Sequence, residues 1–208
     1  MTKKNGGKVR WINHYNRNQM ILLGGEGDFS FSACLAKAFG SATNMVATSL
    51  NSEETLETKH WTNTAHLEYL KKKGCSIFHE VDVYDMNVHP TLMYMEFDVI
   101  IYNFPHAGHF CEREFPQKHK RLEEAFFRSA REMVSEGGEV HVTQRDDYPY
   151  SEWNLVELAK QSGLVLKEKV EFSKKDYHNK TGGGIESNKQ FPLEQTFTFK
   201  FSLVPKNS

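Results

Sequence analysis

Glycine and acidic residues alternate in the segment GGEGD, which occupies residues 24–28. The apolar run MILL precedes this segment, and the helix-like segment FSFSACLAKAF follows it. The glycines at Gly25 and Gly27 allow a sharp turn and let a ligand lie directly against the backbone. A strand, a glycine-rich loop and a helix in this order are typical of nucleotide-binding sites.

The charge of this loop indicates which nucleotide it suits. Glu26 and Asp28 would stand beside the phosphates of a dinucleotide, and Ser30 replaces the third glycine of the dinucleotide fingerprint. Carboxylates repel phosphates, but they attract the ammonium and sulfonium groups of S-adenosylmethionine. The loop therefore favours S-adenosylmethionine over NAD. An acidic turn in which Asp28 caps the helix is the alternative without a ligand.

Polar residues also follow the next two predicted strands. Asn51 follows the strand NMVATSL, where nucleoside-binding sheets often place an acid that accepts the ribose hydroxyls. An amide makes the same hydrogen bond more weakly than a carboxylate. Asp82 and Asp85 follow in the segment EVDVYD, from which an adenine amino group can be read. Open α/β sheets bind ligands at the carboxyl ends of their strands, so we expect these residues at one edge.

The segment NFPH, residues 103–106, ends the very apolar strand FDVIIYNF. Pro105 stiffens the turn, so the amide of Asn103 can be held at the sheet edge, while Phe104 or His106 can stack on a flat base. Asn-Pro-Pro-Tyr at this place is the signature of enzymes that methylate nitrogen in planar rings or amides, and NFPH is related to it. A strand followed by a proline turn is the alternative.

The elements that must position these residues alternate along the chain. The periodicity predicts strands at 20–23, 44–50, 75–83, 97–104, 139–144, 164–172 and 195–204, and helices at 29–39, 52–74, 117–138 and 151–163. Strands separated by helices predict an α/β fold, a mostly parallel sheet with helices on both faces. The last two strands have no helix between them, so we expect an antiparallel hairpin with a long connection at 173–194.

The composition is that of an ordinary globular protein. The chain has 208 residues, of which 25% are charged and 38% hydrophobic, and its formal net charge is −1. We expect a basic N-terminal segment at 1–19 and one domain at 20–204, without a membrane span or a secretion signal. Basic clusters at 1–19, 71–73 and 167–189 can bind phosphates or form solvated surface.

Neither a metal site nor a disulfide framework is expected. The spacing of His106, His109, Cys111 and His119 fits no common zinc pattern. The three cysteines lie far apart, which fits a reducing compartment. The motifs GxSxG and HExxH and a P-loop lysine do not occur, which argues against the usual hydrolases and NTPases.

Seven segments together resemble one known family. GEGDFSFS, ATSLNS, VDVYD, NFPHAG, GGEVHVTQ, WNLVELA and FPLEQTFTFKF resemble, in order and spacing, the eukaryotic large-subunit rRNA uridine-N3 methyltransferases, plant members in particular. The resemblance runs from about Trp11 to Leu203. It implies a Rossmann-like class I methyltransferase fold, a seven-stranded sheet, S-adenosylmethionine as cofactor, rRNA or a pre-ribosome as partner, and a nuclear or nucleolar location.

The resemblance also implies site residues. Cofactor contacts fall on Gly25, Glu26, Gly27, Asp28, Phe29, Asn51, Asp82 and Val83, and the target base falls near Asn103, Phe104, Pro105 and His106. Uridine N3 carries a proton that must leave before attack, so a general base is needed. His106 is the first candidate because imidazole titrates near neutral pH.

Two positions depart from the family pattern. Asn51 stands where members usually have aspartate, and Thr181 stands where they have arginine. Arginine can pair bidentately with a phosphate, so its replacement weakens an RNA contact. Three alternatives remain open: a non-catalytic module with this fold that binds RNA or a protein, a methyltransferase acting on another RNA or on a protein side chain, and a nicotinamide enzyme.

Overall fold

A twisted seven-stranded sheet lies between two layers of helices. The computed structural model describes residues 8–59, 61–106, 115–177 and 194–205. The strands are β1 (Trp11–Ile12), β2 (Tyr15–Asn16), β3 (Ile21–Gly24), β4 (Met45–Thr48), β5 (Ser76–Phe78), β6 (Phe97–Asn103), β7 (Val134–Arg145), β8 (Leu164–Glu171) and β9 (Thr196–Leu203). The helices are α1 (Ser30–Phe39), α2 (Glu53–Lys59), α3 (Trp61–Lys72), α4 (Phe115–Met133) and α5 (Leu155–Gln161).

The strand order in the large sheet is β5-β4-β3-β6-β7-β9-β8. Strands β3 to β7 pair in parallel, whereas β9 is antiparallel to both β7 and β8. The predicted mostly parallel sheet with an antiparallel C-terminal hairpin is confirmed. The carboxyl ends of the five parallel strands consequently meet at one edge, as a ligand site requires.

Alternate residues of the central strands fill two apolar layers. Leu22, Val46 and Ile100 pack with Phe126 and Phe127 of α4 on one face. The intervening positions face the other way, and Ile21, Leu23, Ala47 and Ile101 pack with Leu35 and Phe39 of α1. Burial on both faces explains why these strands read as continuous apolar runs.

The first two helical segments begin and end close to the predicted places. Gly40 ends α1 in a left-handed conformation, φ 74°, and its N–H donates to the carbonyl of Ala36. Ser52 caps α2, because its Oγ accepts the N–H of Thr55 at 3.2 Å. The single helix predicted over 52–74 is described as α2 and α3, on either side of residue 60.

The predicted helix at 117–138 is wrong at its C-terminal end. Helix α4 ends at Met133, and Val134 already pairs with Phe97 as the first residue of β7. Gly138 lies within this strand at a register shift, where a Cβ would come within 2.9 Å of the Asp98 carbonyl oxygen. The two glycines therefore serve a β-bulge rather than the end of a helix.

Two further boundaries differ from the prediction. The strand predicted at 75–83 ends at Phe78, because Glu80 has φ 56° and the N–H of Val81 donates to the Ser49 carbonyl. The helix predicted at 151–163 is a 3-10 turn, Tyr150–Trp153, followed by α5. Asn154, with φ 55°, separates the two, and its carbonyl accepts the first N–H groups of α5.

Residues 8–19 pack against the sheet as the small hairpin β1–β2. Tyr15 is buried, and its hydroxyl lies 3.1 Å from Nδ1 of His141 on β7. Asn13 in the turn of the hairpin donates to Asp176 and Tyr177. The sequence indicated a basic segment here but not its contacts with the sheet. The division at residues 1–19 and 20–204 stays a prediction.

Candidate active site

The loop after β3, the ends of β4 and β6 and the loop after β5 meet at the carboxyl edge of the sheet. Register places Gly24 of β3 beside Tyr102 of β6, and Asn103 beside Thr143 of β7. The N–H of Glu26 donates to the Thr48 carbonyl of β4 at 2.8 Å. The fold thus brings the predicted cofactor residues and the predicted acceptor residues to one edge.

Gly25 has no space for a side chain. Its φ is +63°, a conformation that residues with a Cβ rarely adopt. A Cβ on Gly25 would lie 2.6 Å from Cε2 of Tyr102. At Gly24, by contrast, a Cβ would meet Cγ1 of Val83 at an ordinary 3.8 Å. The backbone at Gly25 therefore presents a surface without a side chain.

Both acids of the loop bond to the start of α1. Glu26 Oε2 accepts two hydrogen bonds from Ser32, one from its N–H at 3.1 Å and one from its side-chain hydroxyl at 2.7 Å. Asp28 Oδ1 accepts the N–H of Ser30 at 3.0 Å. Phe29 adopts φ 58° at the start of the helix and is fully buried. The capping role that the sequence left open for Asp28 is therefore present, and Glu26 has one as well.

The next two predicted contacts lie in the loops beyond β4 and β5. Asn51 is half-buried, and its carbonyl accepts the N–H of Glu80 at 3.4 Å. Asp82 is half-buried, and its Oδ1 accepts the N–H of Tyr84 at 3.0 Å. Val83 is buried beside Gly24. Both loops thus have fixed backbones next to the glycine loop.

Asn103 has an amide that forms no hydrogen bond within the described part of the chain. Its Nδ2 and Oδ1 are both shielded from solvent. Such a group costs about 1–3 kcal/mol when it stays without a partner. The next residue, Phe104, has φ 53°, and its N–H donates to the Thr143 carbonyl at 2.7 Å. The turn therefore fixes Asn103 at the edge of the sheet, with an amide that the described residues leave without a hydrogen-bond partner.

Helix α4 holds the rest of this turn. Nε2 of the buried His119 lies 3.1 Å from the Pro105 carbonyl oxygen, so a proton on Nε2 donates to it. The His119 ring stacks on Trp153, with centroids 4.2 Å apart. His106 is exposed, and its ring stands 5.5 Å from that of His119 at 83°. The ring of Phe104 meets that of Phe172 edge-on at 5.6 Å.

Glu123 lies one helical turn after His119 and is only 1% exposed. Neither carboxyl oxygen makes a hydrogen bond within the described residues. Burial raises the pKa of Glu123 to about 8, while the charge of Lys120 opposes the shift. Burial also raises the pKa of Tyr102, and the nearby Glu123 adds to this effect. Glu123 therefore holds its proton at neutral pH.

Sequence reasoning missed three residues beside the candidate site. Nδ1 of His66 on α3 lies 2.7 Å from the Asp28 carbonyl oxygen. His79 packs its ring 6.0 Å from that of Phe29, and its two ring nitrogens form no hydrogen bond within the described residues. Glu123 is the third. The sequence signal for Glu123 was a carboxyl on the helix face that also holds Phe126, Phe127 and Ala130.

Several expectations fall outside the described residues. They concern His109, Cys111, Thr181 and the basic positions Lys3, Lys4, Lys180 and Lys189. Cys34 and Cys75 are buried thiols, and burial raises the pKa of Cys75 to about 12. Within the described ranges, no group of three or more histidine, cysteine or acidic residues is arranged for a metal ion. The described helices include none long and apolar enough to cross a membrane.

Comparison with known sequences identifies relatives across the chain. An uncharacterised protein of Arabidopsis thaliana is 42% identical over 202 residues, covering 93% of this chain and 97% of its own. The heavy metal-associated isoprenylated plant protein 41 of Arabidopsis thaliana is 43% identical over 97% of this chain, which spans only 41% of that protein. The 25S rRNA (uridine(2634)-N(3))-methyltransferase of Saccharomyces cerevisiae is 24% identical over 99% of this chain and 78% of its own.

Comparison with solved structures supports the fold. A methyltransferase from Pyrococcus furiosus superposes with a TM-score of 0.55 at 17% identity, covering 88% of this chain and 74% of its own. The pyocyanin biosynthetic protein PhzM superposes with a TM-score of 0.57 at 13% identity, covering 90% of this chain and 51% of its own. The family model for BMT5-like rRNA (uridine-N3-)-methyltransferases matches residues 22–181. With this match and its Rossmann-like methyltransferase fold, the chain belongs to the BMT5-like family of rRNA (uridine-N3-)-methyltransferases.

Proposed function

We propose that this chain transfers a methyl group from S-adenosylmethionine to N3 of a uridine in large-subunit rRNA. The observation that carries the proposal is the amide of Asn103, which lacks a partner among the described residues at the end of β6. An amide offers one acceptor and two donors side by side. Uracil offers an N3–H donor between two carbonyl acceptors. An amide N–H can therefore donate to a carbonyl oxygen beside N3 and orient the ring, while N3 itself stays open to the general base and to the methyl group.

The residues of the glycine loop fit the cofactor. Glycine at position 25 lets the loop pack closely over β6, since a Cβ there would meet the Tyr102 ring. The carboxylates of Glu26 and Asp28 bring negative charge to the same loop, which favours a cationic ligand over a dinucleotide. Asn51 and Asp82 lie in the adjoining loops, within which we place the ribose and the adenine. When bound, S-adenosylmethionine supplies an electrophilic methyl group.

The turn at residues 103–106, after β6, is the part of the site that we assign to the methyl acceptor, and we call it the acceptor turn. It supplies a group that orients the uracil and a group that accepts its proton. Asn103 orients the uracil, and the ring of Phe104 forms one wall of its pocket. His106 accepts the N3 proton as general base, since its imidazole is exposed at the same turn. N3 lies on the pairing edge of the base, so the uridine must be unpaired or flipped out of its helix. An rRNA substrate implies a nuclear, and in particular nucleolar, site of action.

The proposal is tested by incubating the protein with methyl-labelled S-adenosylmethionine and ribosomal RNA fractions. The product nucleoside is then identified by mass spectrometry. We expect label in large-subunit rRNA as 3-methyluridine, and about 10²-fold or greater loss with His106→Ala around neutral pH. Unchanged transfer by His106→Ala would remove His106 from this role. Cofactor binding without transfer to any RNA would instead favour the non-catalytic module, and label in protein would favour a different substrate.

A further inference from the structure

Three cationic side chains surround the first two turns of α4. Lys118 and Lys120 are half-buried, and Arg121 is exposed. The first turn of this helix contains no acidic residue. Cations at the amino end of a helix oppose its dipole, so the dipole does not explain their position. We call Lys118, Lys120 and Arg121 the α4 cation cluster.

The α4 cation cluster lies at the edge where the acceptor turn is held. His119 stands between Lys118 and Lys120 in the chain, and its Nε2 is 3.1 Å from the Pro105 carbonyl oxygen. Its ring also lies 5.5 Å from that of His106. Lys118 and Lys120 therefore flank the helix face from which His119 reaches the turn at 103–106, and Arg121 adds charge on the exposed side of the same two turns. The sequence-based clusters at 1–19, 71–73 and 167–189 did not include this one.

We propose that the α4 cation cluster binds the phosphates of the RNA strand on either side of the target uridine. This inference rests on the proposed function, because it takes RNA as the substrate. A base extruded from its stack leaves its flanking phosphates close to the pocket mouth, within reach of long basic side chains. Each lysine or arginine that neutralises a phosphate releases counterions from the RNA. The slope of log K against log[salt] therefore becomes steeper with each such contact.

The chain offers a matched control of equal charge. Lys71, Lys72 and Lys73 follow each other at the end of α3. The carbonyl of Lys73 accepts the N–H of Ala42, which precedes β4, so this run lies at the amino edge of the sheet. The variants K118Q/K120Q/R121Q and K71Q/K72Q/K73Q remove the same charge from opposite edges.

The probe is a fluorescein-labelled single-stranded RNA of about 20 nucleotides that contains uridine, titrated at KCl concentrations from about 50 to about 300 mM. For K118Q/K120Q/R121Q we expect the slope of log K against log[KCl] to become shallower by about 2, at about 0.7 per lost contact. The affinity at about 100 mM salt falls by about tenfold to hundredfold. The K71Q/K72Q/K73Q variant keeps the wild-type slope.

Calorimetric titration with S-adenosylmethionine is the control for the cofactor loop. We expect wild-type affinity in both variants, which shows that the loop is intact. Equal slopes in all three proteins, or equal losses in both variants, would overturn the assignment to α4. Absence of RNA binding by the wild-type protein would overturn it too. Failure of the proposed methylation is a separate result, because the salt slope is measured without methyl transfer.

Discussion

At Gly25, the backbone conformation and the available space both require glycine. The φ of +63° is unfavourable for any residue with a Cβ, and the nearest obstacle is the ring of Tyr102. That ring packs against Phe126 of α4, with centroids 4.8 Å apart, so it has little freedom to move away. A side chain at this position must therefore displace either the loop or the core beneath it.

We expect Gly25→Ala to weaken binding of S-adenosylmethionine at least about tenfold, because the loop must shift to relieve a contact of 2.6 Å. Isothermal calorimetry measures the affinity. Gly24→Ala has ordinary space and is expected to bind like the wild type. Gly137→Ala has the same kind of strained φ, +79°, in open space away from this edge, and controls for strain alone.

Wild-type affinity in Gly25→Ala would show that the loop does not contact the cofactor. A drop in melting temperature shared with Gly137→Ala, without loss of affinity, would lead to the same conclusion.

The sequence predicted those site residues that stand in local patterns. Gly25 and Asn103 each follow an apolar strand, and the end of a strand can be read from the chain. The partners of these residues come from distant segments. His66 contacts the Asp28 carbonyl, although the two residues lie 38 positions apart in the sequence. Glu123 of α4 lies close to Tyr102 of β6. No local pattern encodes such contacts, since they depend on how helices pack onto the sheet.

Among the elements, the β1–β2 hairpin has the most unexpected role. Tyr15 bonds to His141, whose other ring nitrogen lies 2.7 Å from Glu139. From the turn of the hairpin, Asn13 donates to Tyr177, which stacks on Phe172. The ring of Phe172 meets Phe104 of the acceptor turn. A continuous series of contacts therefore joins the hairpin to the candidate active site.

The attachment of this hairpin is expected to weaken in acid. Burial, aided by the charges of His141 and Lys200, lowers the pKa of His14 to about 3, against the opposing effect of Glu139. Burial also lowers the pKa of His141. A histidine whose pKa is lowered in the folded state binds a proton more readily once the segment around it has unfolded. Its contribution to stability is present above about pH 6.5 and is lost as the pH falls toward about 3.

Hydrogen exchange at residues 9–17, compared at about pH 7 and about pH 5 after correction for intrinsic rates, measures this effect. We expect a lower free energy of opening at the acidic pH. In His14→Phe the dependence on pH should be smaller, because one titrating ring is gone. The same opening free energy at both pH values in the wild-type protein would contradict the prediction.

Element boundaries show where sequence periodicity loses information. The glycines at 137–138 looked like the end of a helix, yet Val134 had already joined the sheet. Val134 and Phe97 are both buried, and their pairing outweighs the local preference for a longer helix. The end of β5 was likewise set by hydrogen bonds to the loop after β4, which the segment itself does not reveal.

At the scale of the whole molecule, the class of fold was predictable and the strand order was not. Alternating strands and helices predicted the parallel sheet, and two strands without a helix predicted the hairpin. The position of β9 between β7 and β8 follows from packing across the sheet. Phe199 and Phe201 of β9 extend the apolar layer beneath α4, a contact that periodicity along the chain does not specify.

The buried carboxyl of Glu123 links folding of the whole chain to proton uptake. Its folded pKa of about 8 exceeds the ordinary 4.5, so between these values the folded chain holds a proton that the unfolded chain has released. The free energy of unfolding therefore declines as the pH rises through this window. At about 1.4 kcal/mol per pKa unit, the decline amounts to about 5 kcal/mol.

Urea unfolding of the wild-type protein and of Glu123→Gln, at about pH 5 and about pH 8, measures this linkage. We expect Glu123→Gln to gain stability relative to the wild type on going to the higher pH, since glutamine has no proton to lose. If the difference in the free energy of unfolding between Glu123→Gln and the wild type is the same at both pH values, the prediction is contradicted. At neutral pH the refolding wild-type chain should thus withdraw close to one proton more from a weakly buffered solution than refolding Glu123→Gln does.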